Sequence, residues 1–167
     1  VLLGMSIVDL SKIPINNQKE LQPIFEALSN QDFVCGICCT KPLPNLMKYI
    51  KGVFNQTSKM KLLHLVDCGM KTGLKDLVNE INANNLSQIC YWNLRNNNFD
   101  DKDIDYFLKI IKKTEKDKLI FLDLSNCISK GKEGFMVNLF EHLEKFPSLQ
   151  QLNISGSPNN NEVKAAF

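Results

Sequence analysis

No apolar run in this 167-residue sequence approaches the roughly 18 residues that a membrane-crossing helix needs. The opening VLLGMSIVDL is too short, and lacks the basic flank, to be a signal peptide. An excess of one charge is missing too. The formal net charge is +2, so bulk charge points neither to nucleic acid nor to a membrane surface. No Gly-rich phosphate loop follows any predicted strand. SKGKEG, residues 129–134, lacks the G-x-x-x-x-G-K-S/T spacing and reads as a turn feeding a helix. The six cysteines, Cys35, Cys38, Cys39, Cys68, Cys90 and Cys127, mostly sit inside apolar runs, where a free thiol is a small hydrophobe. A chain of this length needs no disulfide framework, so they indicate a reducing, cytoplasmic compartment. The one C-x-x-C, Cys35 to Cys38, has no second pair to complete a zinc site, and its two positions fall on opposite faces of a strand. No metal or other cofactor is expected. His64 and Asp67 have no serine or low-pKa cysteine placed to use them, so no enzyme is expected either.

What the sequence does contain is a count. The template L-x-x-L-x-L-x-x-N/C fits Met5, Val8, Leu10 and Ile13, then Met60, Leu63, Leu65 and Cys68. It fits Ile89, Trp92, Leu94 and Asn97, then Leu119, Leu122, Leu124 and Cys127, then Leu149, Leu152, Ile154 and Ser157. A poorer copy starts at Phe33, with Gly36 and Cys38, although Val34 is an alternative start. A one-residue slip there exchanges the two faces of the strand. The starts at 5, 33, 60, 89, 119 and 149 are 28, 27, 29, 30 and 30 residues apart.

Each interval closes with a helical stripe at i, i+3, i+4 and i+7. The stripes are Leu21–Leu28, Leu46–Val53, Leu74–Ile81, Ile104–Ile111 and Met136–Leu143. Pro42 and Pro44 force an extended exit from the second strand and set the start of the following helix. The predicted strands carry polar residues at alternate positions: Asp9, His64, Asn93, Asp123 and Asn153. A doubly wound sheet, covered on both faces, would be apolar throughout, so one face of this sheet is expected to be wet.

This pattern resembles the leucine-rich repeat family, in its ribonuclease-inhibitor-like class. The resemblance implies an α/β solenoid of about six 27–30-residue repeats forming one domain over residues 1–167. Its parallel strands would line the concave face of a horseshoe and its helices the convex face. It also implies that the Asn or Cys at the ninth template position hydrogen-bonds backbone where the chain leaves the strand. Asn97, Cys68 and Cys127 fit; Lys41, Ile13 and Ser157 depart from the pattern. Residue 1 is not Met and neither end offers a polar cap, so a longer parent protein is expected.

Function in such a fold is expected on the concave strand positions. Six strands at about 4.8 Å span roughly 24 Å, enough for a helix or loop of a protein partner. The candidate partner-binding residues are His64, Tyr91, Asn93, Arg95, Phe121, Asp123 and Asn153. Tyr91 and Phe121, flanked by Arg95 and Asp123, have the aromatic-plus-Arg character of an interface hot spot. In the second repeat the Phe33 reading places Cys35, Ile37 and Cys39 on that face, and in the third Leu62 and Val66 accompany His64. Trp92 takes a leucine position and is expected in the core, and His142 is expected on a solvated helix side. The basic run IIKKTEKDK, residues 110–118, reads as a helix end whose lysines complement the dipole.

Residues 122–158, LDLSNCISKGKEGFMVNLFEHLEKFPSLQQLNISGSP, resemble a repeat pair of the CARMIL family of cytoskeletal scaffolds. Members bind actin capping protein and, in some cases, myosin I. The resemblance implies a scaffold role at the cell cortex. Because the capping-protein motif of that family lies outside its repeats, no functional residue carries over. Two other users of the repeat class stand as alternatives: a Ran-type activator of a small GTPase, and an innate-immune-type sensor array. Neither implies nucleic acid or membrane insertion.

Overall fold

A computed structural model describes residues 6–15, 17–31, 33–56, 59–70, 74–75, 88–128 and 133–157. Six strands form one parallel sheet in sequence order: β1 (Ser6–Asp9), β2 (Val34–Cys39), β3 (Leu62–Leu65), β4 (Tyr91–Asn93), β5 (Phe121–Asp123) and β6 (Gln151–Asn153). Four α-helices are described: α1 (Leu21–Ser29), α2 (Leu46–Gln56), α3 (Asp101–Lys113) and α4 (Glu133–Leu143). The stripe positions Leu77, Val78 and Ile81 lie outside the described residues; Leu74, at the head of that stripe, is buried.

Pairing runs through equivalent template positions. Val8, Ile37, Leu63, Trp92, Leu122 and Leu152 are mutual neighbours across the sheet. This register settles the second strand. Ile37, not Gly36, is the core partner of Leu63, so the template there starts at Val34. The reading from Phe33 is therefore corrected. Phe33 lies outside the strand and is 61 % exposed, while Ile37 and Cys39 are buried in the core rather than facing out with Cys35. The physical reason is volume. The shifted reading would put a glycine at a core position where Ile37 supplies a full side chain.

One face of the sheet packs on the helices. Leu63, Trp92 and Leu122 join Ile50, Val53, Phe107, Ile111, Met136 and Leu139 in a single core. Trp92 meets Phe107 of α3 edge-on, with ring centroids 6.2 Å apart, as its leucine position predicts. Helix α3 starts with a reciprocal cap: Asp100 accepts from the Asp103 N–H and Asp103 from the Asp100 N–H. Lys112 and Lys113 close α3, and helix α2 begins at Leu46, two residues after Pro44. His142 is half-buried on α4 rather than fully solvated, with its Nδ1 2.7 Å from the Asn138 carbonyl oxygen.

The turns repeat as strictly as the strands. Asp67, Asn96, Asn126 and Gly156 all have positive φ, from 53° to 77°, at 29- or 30-residue spacing. Only Gly, Asn and Asp enter this left-handed region cheaply, so composition at this position is dictated by the turn.

Candidate functional site

The sheet face away from the helices is organised as rows of side chains running across the strands. The first row is Ile7, Gly36, Leu62, Tyr91, Phe121 and Gln151. The second is Asp9, Cys38, His64, Asn93, Asp123 and Asn153. Beyond the strand ends, Ser11, Arg95, Ser125 and Ser155 stand two residues after their second-row neighbours.

The first row is apolar for most of its length. Tyr91 and Phe121 stack in parallel, centroids 5.5 Å apart at 18°. Both are half-buried, and Ile7 at the opposite end of the row is exposed. Gly36 has a steric role. A Cβ there would lie 3.0 Å from Leu62 Cβ and Cδ2 and 3.2 Å from Ile7 Cγ1. The absent side chain lets Leu62 and Ile7 close the row over β2.

The second row does two jobs. Asp9, Asn93, Asp123 and Asn153 each accept the backbone N–H two residues on, from Ser11, Arg95, Ser125 and Ser155, at 2.9–3.2 Å. Each therefore shapes the turn that leaves its strand. Asp123 is the most committed. Its Oδ1 also accepts the Ser125 hydroxyl at 2.6 Å and its Oδ2 the Asn153 amide at 3.3 Å, and the residue is buried. Asp9 pairs with Lys12 at 3.3 Å.

Cys38, His64 and Asn93 adjoin on three neighbouring strands, an order that invites comparison with a nucleophile, base and orienting amide. The wiring is different. Asn93 Oδ1 is held by the Arg95 N–H, so its amide NH2 faces His64 Nδ1, 3.4 Å away. Nδ1 is then an acceptor and the ring proton sits on Nε2, which leaves no imidazole lone pair for Cys38. Burial, followed by Asp9 alongside, pushes the Cys38 thiol up to about 11. Burial lowers the His64 pKa, against the pull of Asp9 and Asp123. Near neutral pH both groups are uncharged, the reverse of a thiolate–imidazolium pair.

All seven sequence-predicted residues thus lie on or just beyond one sheet face. Tyr91 and Phe121 touch; His64 meets Asn93; Asp123 meets Asn153. Asn93, Asp123 and Asn153 are engaged by their own turns, while Arg95 is exposed and the half-buried His64, Tyr91 and Phe121 keep part of their side-chain surface open. Sequence reasoning missed Gly36 and Cys38 as members of this face, because it took β2 one residue out of register. The better match of Val34, Ile37 and Cys39 to the apolar template positions was the available signal.

A second concavity lies between α1 and α2, where Phe25 and Tyr49 stack at 5.4 Å. Its acidic lining residue, Glu26, accepts from Gln22 at 2.8 Å. Among the described residues no group of His, Cys, Asp and Glu is arranged to hold a metal ion, and no helix is long and apolar enough to cross a membrane.

No family model and no curated protein sequence matches the chain. Among solved structures, the tropomodulin C-terminal domain from Caenorhabditis elegans aligns at 10 % identity with a TM-score of 0.47, over 97 % of this chain and 81 % of that one.

Proposed function

We propose that the chain is a non-enzymatic protein-binding scaffold. In this reading it is a leucine-rich repeat horseshoe that grips a protein partner on its concave, strand-lined face. The observation that carries the reading is the Tyr91–Phe121 stack. Two aromatic rings lie half-exposed side by side on the sheet face opposite the helices, in one row with Leu62 and Ile7. Stacked aromatics offer large, rigid contact area at low entropic cost, which is what interface anchors need. The finer placement, a cytoplasmic scaffold of the actin cortex, is supported by the likeness of residues 122–158 to CARMIL repeats.

The test is site-specific photo-crosslinking in cells from Tyr91, with Tyr49 on the helical side as control. Partners that crosslink from Tyr91, and are lost with the Phe121→Ala variant, support the reading. Equal crosslinking from Tyr49, or capture indifferent to Phe121→Ala, sinks it.

A further inference from the structure

We infer that the segment docking on this face is acidic: it presents a carboxylate to Arg95 and an apolar side chain to the Tyr91–Phe121 stack. The inference rests on the scaffold reading above and adds the chemistry of the partner.

It follows from tracing where each charge on the face is spent. Both second-row carboxylates are occupied within the chain. Asp9 is bound by the Ser11 N–H and Lys12, and Asp123 by the Ser125 N–H, the Ser125 hydroxyl and the Asn153 amide. His64 is a neutral donor, with its proton on Nε2, and no described protein acceptor takes that proton. Arg95 is the only arginine of the chain. It is exposed, and it makes no ion pair among the described residues. Asp67, on the neighbouring turn, is exposed and forms none with it. Two charges are thus without an ion pair at this edge of the face: the Arg95 guanidinium, on the turn that follows the strand of Tyr91, and the Asp67 carboxylate one strand further from Phe121.

The Arg95 backbone is fixed from both sides. The Arg95 N–H donates to Asn93 Oδ1 at 3.2 Å, and the Arg95 carbonyl accepts from the Asp67 N–H at 3.0 Å and from Asn97 Nδ2 at 3.4 Å. A guanidinium on a held stem loses little backbone freedom on binding, and its planar fork matches a carboxylate bidentately. Tyr91 opens β4 and Arg95 stands four residues on, in the turn that leaves the strand. A partner must therefore reach both with an apolar residue and, separate from it, an Asp, Glu or terminal carboxylate. An exposed ion pair alone adds little affinity, so the aromatic anchor holds the segment and the charge selects it. A basic segment would find on this face only Asp67, which has no ion pair among the described residues and stands one strand further from Phe121, because Asp9 and Asp123 are bound within the chain.

The test is display selection of random, unphosphorylated 12-residue peptides on four forms of the chain: unaltered, Arg95→Ala, Arg95→Glu, and Tyr91→Ala with Phe121→Ala. Thermal melts verify that each variant is folded. Peptides selected on the unaltered chain should be enriched in Asp or Glu together with an aromatic or large aliphatic residue. They should weaken at least about fivefold on Arg95→Ala, and Arg95→Glu should turn the preference toward Lys and Arg. Selected peptides that need the aromatic pair but show no acidic preference, or a preference that survives Arg95→Glu, overturn this inference and leave the scaffold reading standing. Peptides that bind the aromatic double variant equally well, or no enrichment at all, count against both.

Discussion

Asn97 Nδ2 donates to the carbonyl oxygen of Leu65 at 2.6 Å, joining the turn after β4 to the strand before it. The same link is made elsewhere with sulfur. The Cys127 thiol donates to Leu94 O at 2.7 Å, and the Cys68 thiol to Cys39 O at 3.3 Å. Leu94, Leu65 and Cys39 occupy the same template position, so in these three units that carbonyl is satisfied by the ninth residue of the next unit. Asn97 does more than either thiol, because its Oδ1 also accepts the Cys68 N–H at 3.0 Å and its Nδ2 reaches Leu94 O at 2.7 Å.

That asymmetry predicts unequal costs. Asn97→Ala strands the Leu65 carbonyl and the Cys68 N–H in a buried place, and unsatisfied buried groups cost about 1–3 kcal/mol each. A loss of about 2–4 kcal/mol is expected. Cys127→Ala leaves Leu94 O with its Asn97 donor and should cost about 1–2 kcal/mol, mostly lost packing. Urea denaturation of the two variants measures both, and equal costs would contradict the inequality.

Much of this ladder was legible in sequence, and particular residues show where legibility stopped. Asn97, Trp92 and the leucines of four strands sit where the template places them, because burial at fixed spacing leaves a direct trace in composition. The second strand did not, because Phe33, Val34, Gly36 and Cys38 offer two registers; the apolar match of Val34, Ile37 and Cys39 favours one of them, and pairing with Leu63 and Val8 fixes it. At the candidate site, Asn93, Asp123 and Asn153 read as outward-facing polar residues, and they do stand on the predicted face. The sequence did not reveal that each is also held by an N–H two residues on. A polar residue at a strand end has the same signature whether it greets solvent, a partner or its own turn.

The positive-φ turn position gives a second prediction. Asn126, at φ 54°, and Gly156, at φ 77°, adjoin: a Cβ on Gly156 would collide with the Asn126 side chain. Asn126→Val places a β-branched residue in the left-handed region and should cost about 1–2 kcal/mol or more. Asn126→Gly keeps the turn and loses only the Asn126 Nδ2 to Asn96 Oδ1 bond of 2.9 Å, an exposed one. Melting temperatures should rank unaltered and Asn126→Gly close together, with Asn126→Val well below.

Gly36 offers a third. Adding a methyl there crowds Leu62 Cβ, which is tied to the backbone of β3 and cannot swing aside. Overpacking of this kind costs about 1–3 kcal/mol. Leu62→Ala removes the crowded Cδ2 but keeps Cβ, so Gly36→Ala combined with Leu62→Ala should recover only the part of the loss that the Cδ2 contact causes. A double-mutant cycle in denaturant checks the coupling, and simple additivity would refute the contact.

The last prediction concerns pH. Burial holds the His64 imidazole below its ordinary 6.5 in the folded chain, while Asp9 and Asp123 pull the other way and Cys38, its β2 neighbour, is uncharged. When the folded value is the lower one, the unfolded chain takes up the proton first as pH falls. The stabilisation from neutral His64 is therefore complete above about 6.5 and is lost as pH drops from there through the folded value. Protonation also places an N–H on Nδ1, opposite the Asn93 amide that donates to it. His64→Gln, which cannot titrate, should flatten the fall in denaturation midpoint between about pH 7 and pH 5 relative to the unaltered chain. Parallel pH profiles for the two proteins would place the sensitivity on other groups and remove His64 from this role.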